Sequence, residues 1–310
     1  MINIPYKELD KRDNQSHPAV QFLEFTGIFI VVMILGNLIG AGIIWVVYGL
    51  KTLMAFSSMN LNAPNFMSAL WILQFVGTTL PIFVTPVFFA WTVVRDPADY
   101  LKPSFRFPWL LLVLAFVIMF ASAPLIEVLS NINQKMVLPH FLKWMRDSED
   151  SAQKITDAML QMKNVWALIF DVLFIGLLTA VAEEFMFRGV IQTIFVRWTK
   201  NVHAAVWITA ILFSAFHMEF FGFLPRLLLG ALFGYMVAWS GSIWLAVWGH
   251  FINNATDVVM TYLTQHKIIG ISVNDDHVFN YACYILSPII VLFLFWLYRR
   301  VALKKQPALQ

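Results

Sequence analysis

Phe25-Thr-Gly-Ile-Phe-Ile-Val-Val-Met-Ile-Leu-Gly-Asn-Leu-Ile-Gly-Ala-Gly-Ile-Ile-Trp-Val-Val-Tyr-Gly-Leu50 runs without one charged side chain. A helix needs about 20 apolar residues to cross a bilayer core, whereas the apolar part of a signal peptide needs only about 7–15. The stretch therefore reads as a membrane-spanning helix. The residues before it agree. Lys7, Glu8, Asp10, Lys11, Arg12, Asp13 and Glu24 mix both signs, so the basic-then-apolar order of a leader is missing.

The pattern repeats outward from that segment. No Asp, Glu, Lys or Arg occurs between Lys51 and Arg95, between Arg106 and Glu127, or between Asp276 and Arg299. The 310 residues are 60% hydrophobic and 13% charged, where a soluble domain carries about 25% charged residues. With a mean hydropathy of +0.72, too little polar surface remains to cover a water-soluble globule. A soluble enzyme, a nucleic-acid-binding protein and a disulfide-stapled domain are excluded. The single cysteine, Cys283, makes neither an internal disulfide nor a thiolate metal site. The expected fold is all-α, a polytopic membrane helix bundle in one membrane domain over residues 1–310. It has about eight transmembrane helices, near 24–48, 68–94, 107–127, 165–187, 203–218, 221–239, 243–264 and 279–298. Pro81 and Pro86 predict a kink in the second, and Ser240-Gly241-Ser242 a tight turn after the sixth.

Charge placement orients the bundle. With the N-terminus in the cytoplasm, the inner segments hold Lys7, Lys11, Arg12, Arg95, Lys102, Arg106, Arg188, Arg197, Lys200, Arg299, Arg300, Lys304 and Lys305. The short outer loops hold only Lys51, Arg226 and Lys267. Segment 128–164 is outer and mixed in sign. Its Phe141, Leu142, Trp144, Met145, Ile155, Met159 and Met162 suit either amphipathic helices on the membrane surface or a packed cap. Gly230-Ala-Leu-Phe-Gly234 is a small-residue face, read as close packing within the bundle ahead of dimerisation.

Ionisable groups inside apolar spans are costly, and each one is a functional candidate. The fourth span contains Ala182-Glu183-Glu184-Phe185-Met186-Phe187-Arg188-Gly189. Glu184 and Arg188 are i,i+4 and predict an ion pair. Glu183 points about 100° away and has no partner on its own helix. The fifth span ends Phe213-Ser-Ala-Phe-His217, and the seventh holds His250-Phe-Ile-Asn-Asn254 with Asp257 one turn on. If the fourth helix continues to a turn near Lys200-Asn201, Glu183 lies about 17 residues before the turn and His217 about 16 after it. At 1.5 Å per residue they then share one depth. Glu219 joins them if its helix ends there. Asp171 is expected to make a polar contact with a neighbouring helix, and His203 and His266 to be wet surface groups. A glutamate, two histidines and an asparagine in a lipid-shielded site suit hydrolysis: a carboxylate and one imidazole take a proton from water, and the other imidazole and the amide hold an oxyanion. Two His and one Glu are also a zinc ligand set, but no H-E-x-x-H pattern is present. The spacing leaves metal-assisted and metal-free hydrolysis open.

These residues resemble the CPBP or Abi intramembrane protease family, which includes the type II CAAX prenyl proteases of the Ras-converting kind and bacteriocin-processing or self-immunity relatives. Its E-E-x-x-x-R, F-x-x-x-H and H-x-x-x-N motifs read here as Glu183-Glu184-x-x-x-Arg188, Phe213-x-x-x-His217 and His250-x-x-x-Asn254, in order and intact. The resemblance covers about residues 165–265. It implies a membrane endopeptidase in which Glu183 and His217 activate water, His250 and Asn254 form the oxyanion site, and Glu184 and Arg188 support them. No cofactor is favoured, since Asn254 is a poor zinc ligand and a good amide donor; if zinc or another divalent metal binds, Glu183, His217 and His250 are its ligands. The implied partners are the lipid bilayer and a membrane-associated peptide or protein, with prenylated substrates among the options, and no nucleic acid. The expected location is a bacterial cytoplasmic membrane. The rival readings are a non-catalytic immunity or peptide-sequestering protein and an ion- or proton-coupled transporter, though no inverted repeat supports the latter.

Overall fold

The computed structural model describes residues 15–58, 60–137, 139–270 and 278–304. Every regular element among them is helical. In chain order these are α1 (Pro18–Tyr48), α2 (Leu50–Ser57), α3 (Phe66–Val93), α4 (Pro97–Leu101), α5 (Leu110–Gln134), α6 (Lys143–Met159), α7 (Val165–Thr199), α8 (Val202–Phe216), α9 (Phe220–Ser240), α10 (Ile243–Gln265) and α11 (Tyr281–Lys304). Among the described residues six helices, α1, α3, α5, α7, α9 and α11, are long and apolar enough to cross a membrane. The protein is a multi-pass integral membrane protein. The expected spans at 203–218 and 243–264 fall on α8 and α10, outside those six. α8 has 15 residues, short of the about 20 that a crossing needs, and α10 carries His250, Asn253, Asn254 and Asp257 along its length.

In lipid the hydrophobic effect does not drive helices together, so packing and interhelical hydrogen bonds hold the bundle. α7, α8, α9 and α10 form its centre, each packed on the next, with α10 also against α7. α1 and α3 cover α7 on one side, and α5 and α11 cover α9 and α10 on the other. Phe25, Phe89, Phe185 and Phe187 fill the first interface; Leu111, Ile118, Met236, Leu245 and Tyr298 fill the second. The remaining faces of α1 and α11, with Leu38, Trp45, Ile285 and Leu292, are exposed and suit lipid contact.

The small-residue face of α9 does pack within the bundle. A Cβ on Gly230 would lie 3.0 Å from the Ala210 Cα, and one on Gly234 would lie 2.9 Å from Val206 Cγ1 and 2.8 Å from Gln192 Oε1. Glycine at these two positions lets α9 approach α8 and α7 closely enough for side chains of α7 to reach its backbone.

α7 is longer than expected and continues to Thr199. Lys200 then turns left-handed (φ 54°), and the Asn201 side chain caps α8 by accepting from the His203 and Ala204 N–H groups. The α3–α5, α7–α8 and α9–α10 connections meet at one end. There the Ile243 N–H donates to the Lys102 carbonyl (3.1 Å), the Ser242 hydroxyl donates to the Ser104 carbonyl, and Arg197 donates to the Tyr100 hydroxyl. This end gathers Arg95, Lys102, Arg106, Arg197 and Lys200; the cations at Lys7, Lys11, Arg12 and Lys305 lie outside the described residues.

Within segment 128–164, α6 buries none of its residues, while Asn133 and Met162 on either side of it are buried. α6 is tied to the first turn of α9 by the Phe221 N–H, which donates to Glu149 Oε2 (3.0 Å), and by Arg146, whose guanidinium lies 3.2 Å over the Phe221 ring.

Candidate active site

Glu183 and Glu184 occupy a short α-helical stretch of α7, Thr179–Glu184, between two stretches, Val172–Leu178 and Phe185–Ile191, where the hydrogen bonding widens to π type. Such wide turns often accompany functional sites. The two acids have different surroundings. Glu184 is fully buried, and its Oε1 accepts from Arg188 Nη1 (2.8 Å) and from His250 Nδ1 (2.8 Å). The expected i,i+4 pair is therefore present and shared with α10. Arg188 also donates to the Gly230 carbonyl (3.1 Å) and lies over the Phe213 ring at 4.4 Å. Its charge is held by a carboxylate, a carbonyl and an aromatic face, as a buried cation requires.

Glu183 keeps a small opening to its surroundings (8% exposed). Its Oε2 is buried without a hydrogen-bond partner and faces two imidazoles: His217 Nε2 at 3.9 Å and His250 Nε2 at 3.8 Å. α8 ends just before His217, whose Nδ1 lies 2.9 Å from the Phe213 carbonyl. A carbonyl only accepts, so Nδ1 carries the hydrogen, and in the neutral ring Nε2 presents a lone pair toward Glu183. The contact of His250 Nδ1 with the Glu184 carboxylate fixes the second ring in the same sense. Phe233 stacks on His250 (5.0 Å, 14°) and Phe213 meets both imidazoles edge-on.

Asn254 lies one turn beyond His250. Its amide donates to the Ile175 carbonyl (3.3 Å) and its Oδ1 accepts from the Asn253 side chain (3.3 Å). It is thus positioned by the wide turn of α7 and makes no hydrogen bond to Glu183, His217 or His250. Asp257 is exposed. Glu219 pairs with Arg226 instead of joining the cluster. Asp171 is buried (3% exposed) without the expected polar contact among the described residues. His203 and His266 are exposed, as read from the sequence. Sequence reasoning missed Phe233, the Gly230 carbonyl and Gln192, which donates to the Gly234 carbonyl (3.0 Å).

Two ligands of a tetrahedral zinc at about 2.0–2.1 Å stand about 3.3 Å apart, whereas Glu183 Oε2 stands 3.9 Å and 3.8 Å from the two imidazole nitrogens. Among the described residues no group of three or more His, Cys, Asp or Glu side chains is arranged to hold a metal ion.

Comparison with known proteins supports the family resemblance over this part of the chain. Residues 165–256 match the family described as type II CAAX prenyl endopeptidase Rce1-like, and all three motifs fall within the match. The chain is also similar to the uncharacterized protein YpbD of Bacillus subtilis (strain 168), at 29% identity over 111 residues, which cover 34% of this chain and 52% of that relative. The match thus spans about half of the relative's length. No solved structure matches.

Proposed function

We propose that the protein is an intramembrane endopeptidase of the CAAX-protease type, which hydrolyses a peptide bond in a membrane-associated peptide or protein with a water activated by Glu183. The observation that carries this reading is the unpartnered Glu183 Oε2 facing the Nε2 atoms of two imidazoles. A water at about 2.8 Å from each acceptor reaches both Glu183 Oε2 and His217 Nε2, because the gap between them is 3.9 Å. Such a water donates one hydrogen to each and keeps its own lone pairs for the scissile carbonyl. Glu183 takes the proton as the carbon–oxygen bond forms and passes it to the leaving amine.

His250 and Asn254 serve the oxyanion. Glu184 holds His250 through Nδ1, so Nε2 is the atom that turns to the reacting carbonyl, and it donates to the oxyanion when it carries a proton. The Asn254 amide has two N–H bonds and commits one to Ile175, so the second is available. Glu184 and Arg188 are positioning residues that hold His250 and the helix spacing.

Purified protein in proteoliposomes, offered C-terminal peptides with and without a prenyl group, is expected to release product detectable by mass spectrometry, and Glu183→Gln to release none. Dialysis against a strong chelator should leave the rate unchanged. A chelator-sensitive rate restored by zinc would replace this mechanism with one in which Glu183, His217 and His250 close around the ion.

A further inference from the structure

The outer end of the bundle carries a second feature, unrelated to the glutamate cluster. A cavity of about 490 Å3 lies between the end of α5, the start of α6 and the first turn of α9, lined by Gln134, Lys135, His140, Lys143, Arg146 and Phe221, together with Met136 and Val137. Four of these side chains are basic and none is acidic. Lys135, His140 and Lys143 are exposed, and none of the three has an ion-pair partner among the described residues. Among the acids of α6, Glu149 is committed to the Phe221 N–H, Asp157 accepts from Gln153, and Asp147 and Asp150 are exposed and absent from the lining. Arg146 is stacked on Phe221 and donates to the Gln134 carbonyl (3.4 Å).

Beside the cavity an apolar edge stands open. Val137 is 93% exposed, Phe141 76% and Trp144 55%. A cationic hollow bordered by unpaired aromatic and aliphatic side chains, at the end of a membrane-spanning helix, matches the boundary between phospholipid headgroups and acyl chains. We propose that this cavity binds the phosphate headgroup of an anionic phospholipid. Lys135, His140, Lys143 and Arg146 face the phosphate, while Val137, Phe141 and Trp144 enter the acyl region. Because Phe221 both lines the cavity and belongs to the first turn of α9, the bound headgroup also fixes α6 against the start of α9.

The test is native mass spectrometry of the purified full chain, titrated with phosphatidylglycerol or phosphatidylcholine, and repeated in the presence of inorganic phosphate. The native protein should retain phosphatidylglycerol preferentially. The Lys135→Gln/Lys143→Gln variant should bind it about tenfold more weakly, since each cation near an anionic headgroup contributes about fivefold or somewhat less. A Lys51→Gln/Lys267→Gln variant, altered in the other outer loops, should behave like the native chain. Equal retention of the two lipids by the native protein would overturn the proposal, as would an unchanged preference in the Lys135/Lys143 variant or displacement of the lipid by millimolar inorganic phosphate.

Discussion

Glu183 and Glu184 are adjacent in sequence and have opposite tasks because their side chains leave the helix about 100° apart. Glu184 is enclosed by Arg188 and His250, and Glu183 Oε2 has no hydrogen-bond partner among the described residues. Removing Glu184 would strand a fully buried guanidinium and release the ring of His250. Breaking a buried pair from one side costs about 3–5 kcal/mol. Glu184→Ala should therefore lower the melting temperature well below that of Glu183→Ala, which removes an acid with no hydrogen bond at Oε2. Equal melting temperatures of the two purified variants would count against the assigned pair. The Glu184–Arg188 pair was legible in the sequence, because i,i+4 spacing needs no knowledge of other helices. The depth match of Glu183 with His217 was legible too, because it depends only on helical rise and on where the turn falls. The stacking of Phe233 on His250 and the grip of Arg188 on the Gly230 carbonyl were not. They depend on how α9 is rotated about its own axis, which the apolar pattern of a helix buried on most sides does not encode.

At the scale of the element, α7 is the frame on which the site is built. Its unbroken run to Thr199, the left-handed Lys200 and the Asn201 cap set the depth at which α8 delivers His217. Helix positions could be read from charge-free gaps, but their extents could not: a span at 165–187 leaves the continuation to Lys200 as a condition, and the burial of Arg188 against Glu184 and Gly230 accounts for the helix that runs on. The close approach of α9 to α8 and α7 depends on Gly234. A larger side chain there meets Val206 and Gln192 at under 3 Å. Gly234→Leu should lower stability by about 1–3 kcal/mol through overpacking, read as a fall in melting temperature. A melting temperature at the native value would mean that α9 is not wedged there. Activity should fall with it, since Phe233 is carried on the same turn.

At the scale of the whole molecule, the connections at the basic end act as one clamp. Lys102 donates to Thr193 Oγ1 of α7 (2.8 Å), and its carbonyl takes the first N–H of α10. It thereby links the two helices that supply Glu183 and His250. Burial pushes the Lys102 amine down to about 7, against the opposing pull of Asp99. An unfolded chain keeps this amine charged up to about 10.4. Between those values the unfolded state binds more protons, so this group makes stability rise with pH from about 7 upward. Burial raises the Tyr100 hydroxyl, which reverses the trend above about pH 10, where the unfolded phenol ionises first. The melting temperature should therefore climb between pH 7 and 9.5, and Lys102→Met should flatten the climb; an equal slope in the variant would remove Lys102 as its source. The central claim concerns chemistry at Glu183, and its most direct test is mass spectrometry of peptide termini from cells carrying the native protein or Glu183→Ala at equal abundance. The account predicts uncut membrane-associated precursors in the variant and their cleaved forms in the native cells. Identical termini in both would contradict it and leave a bundle that holds peptides without cutting them.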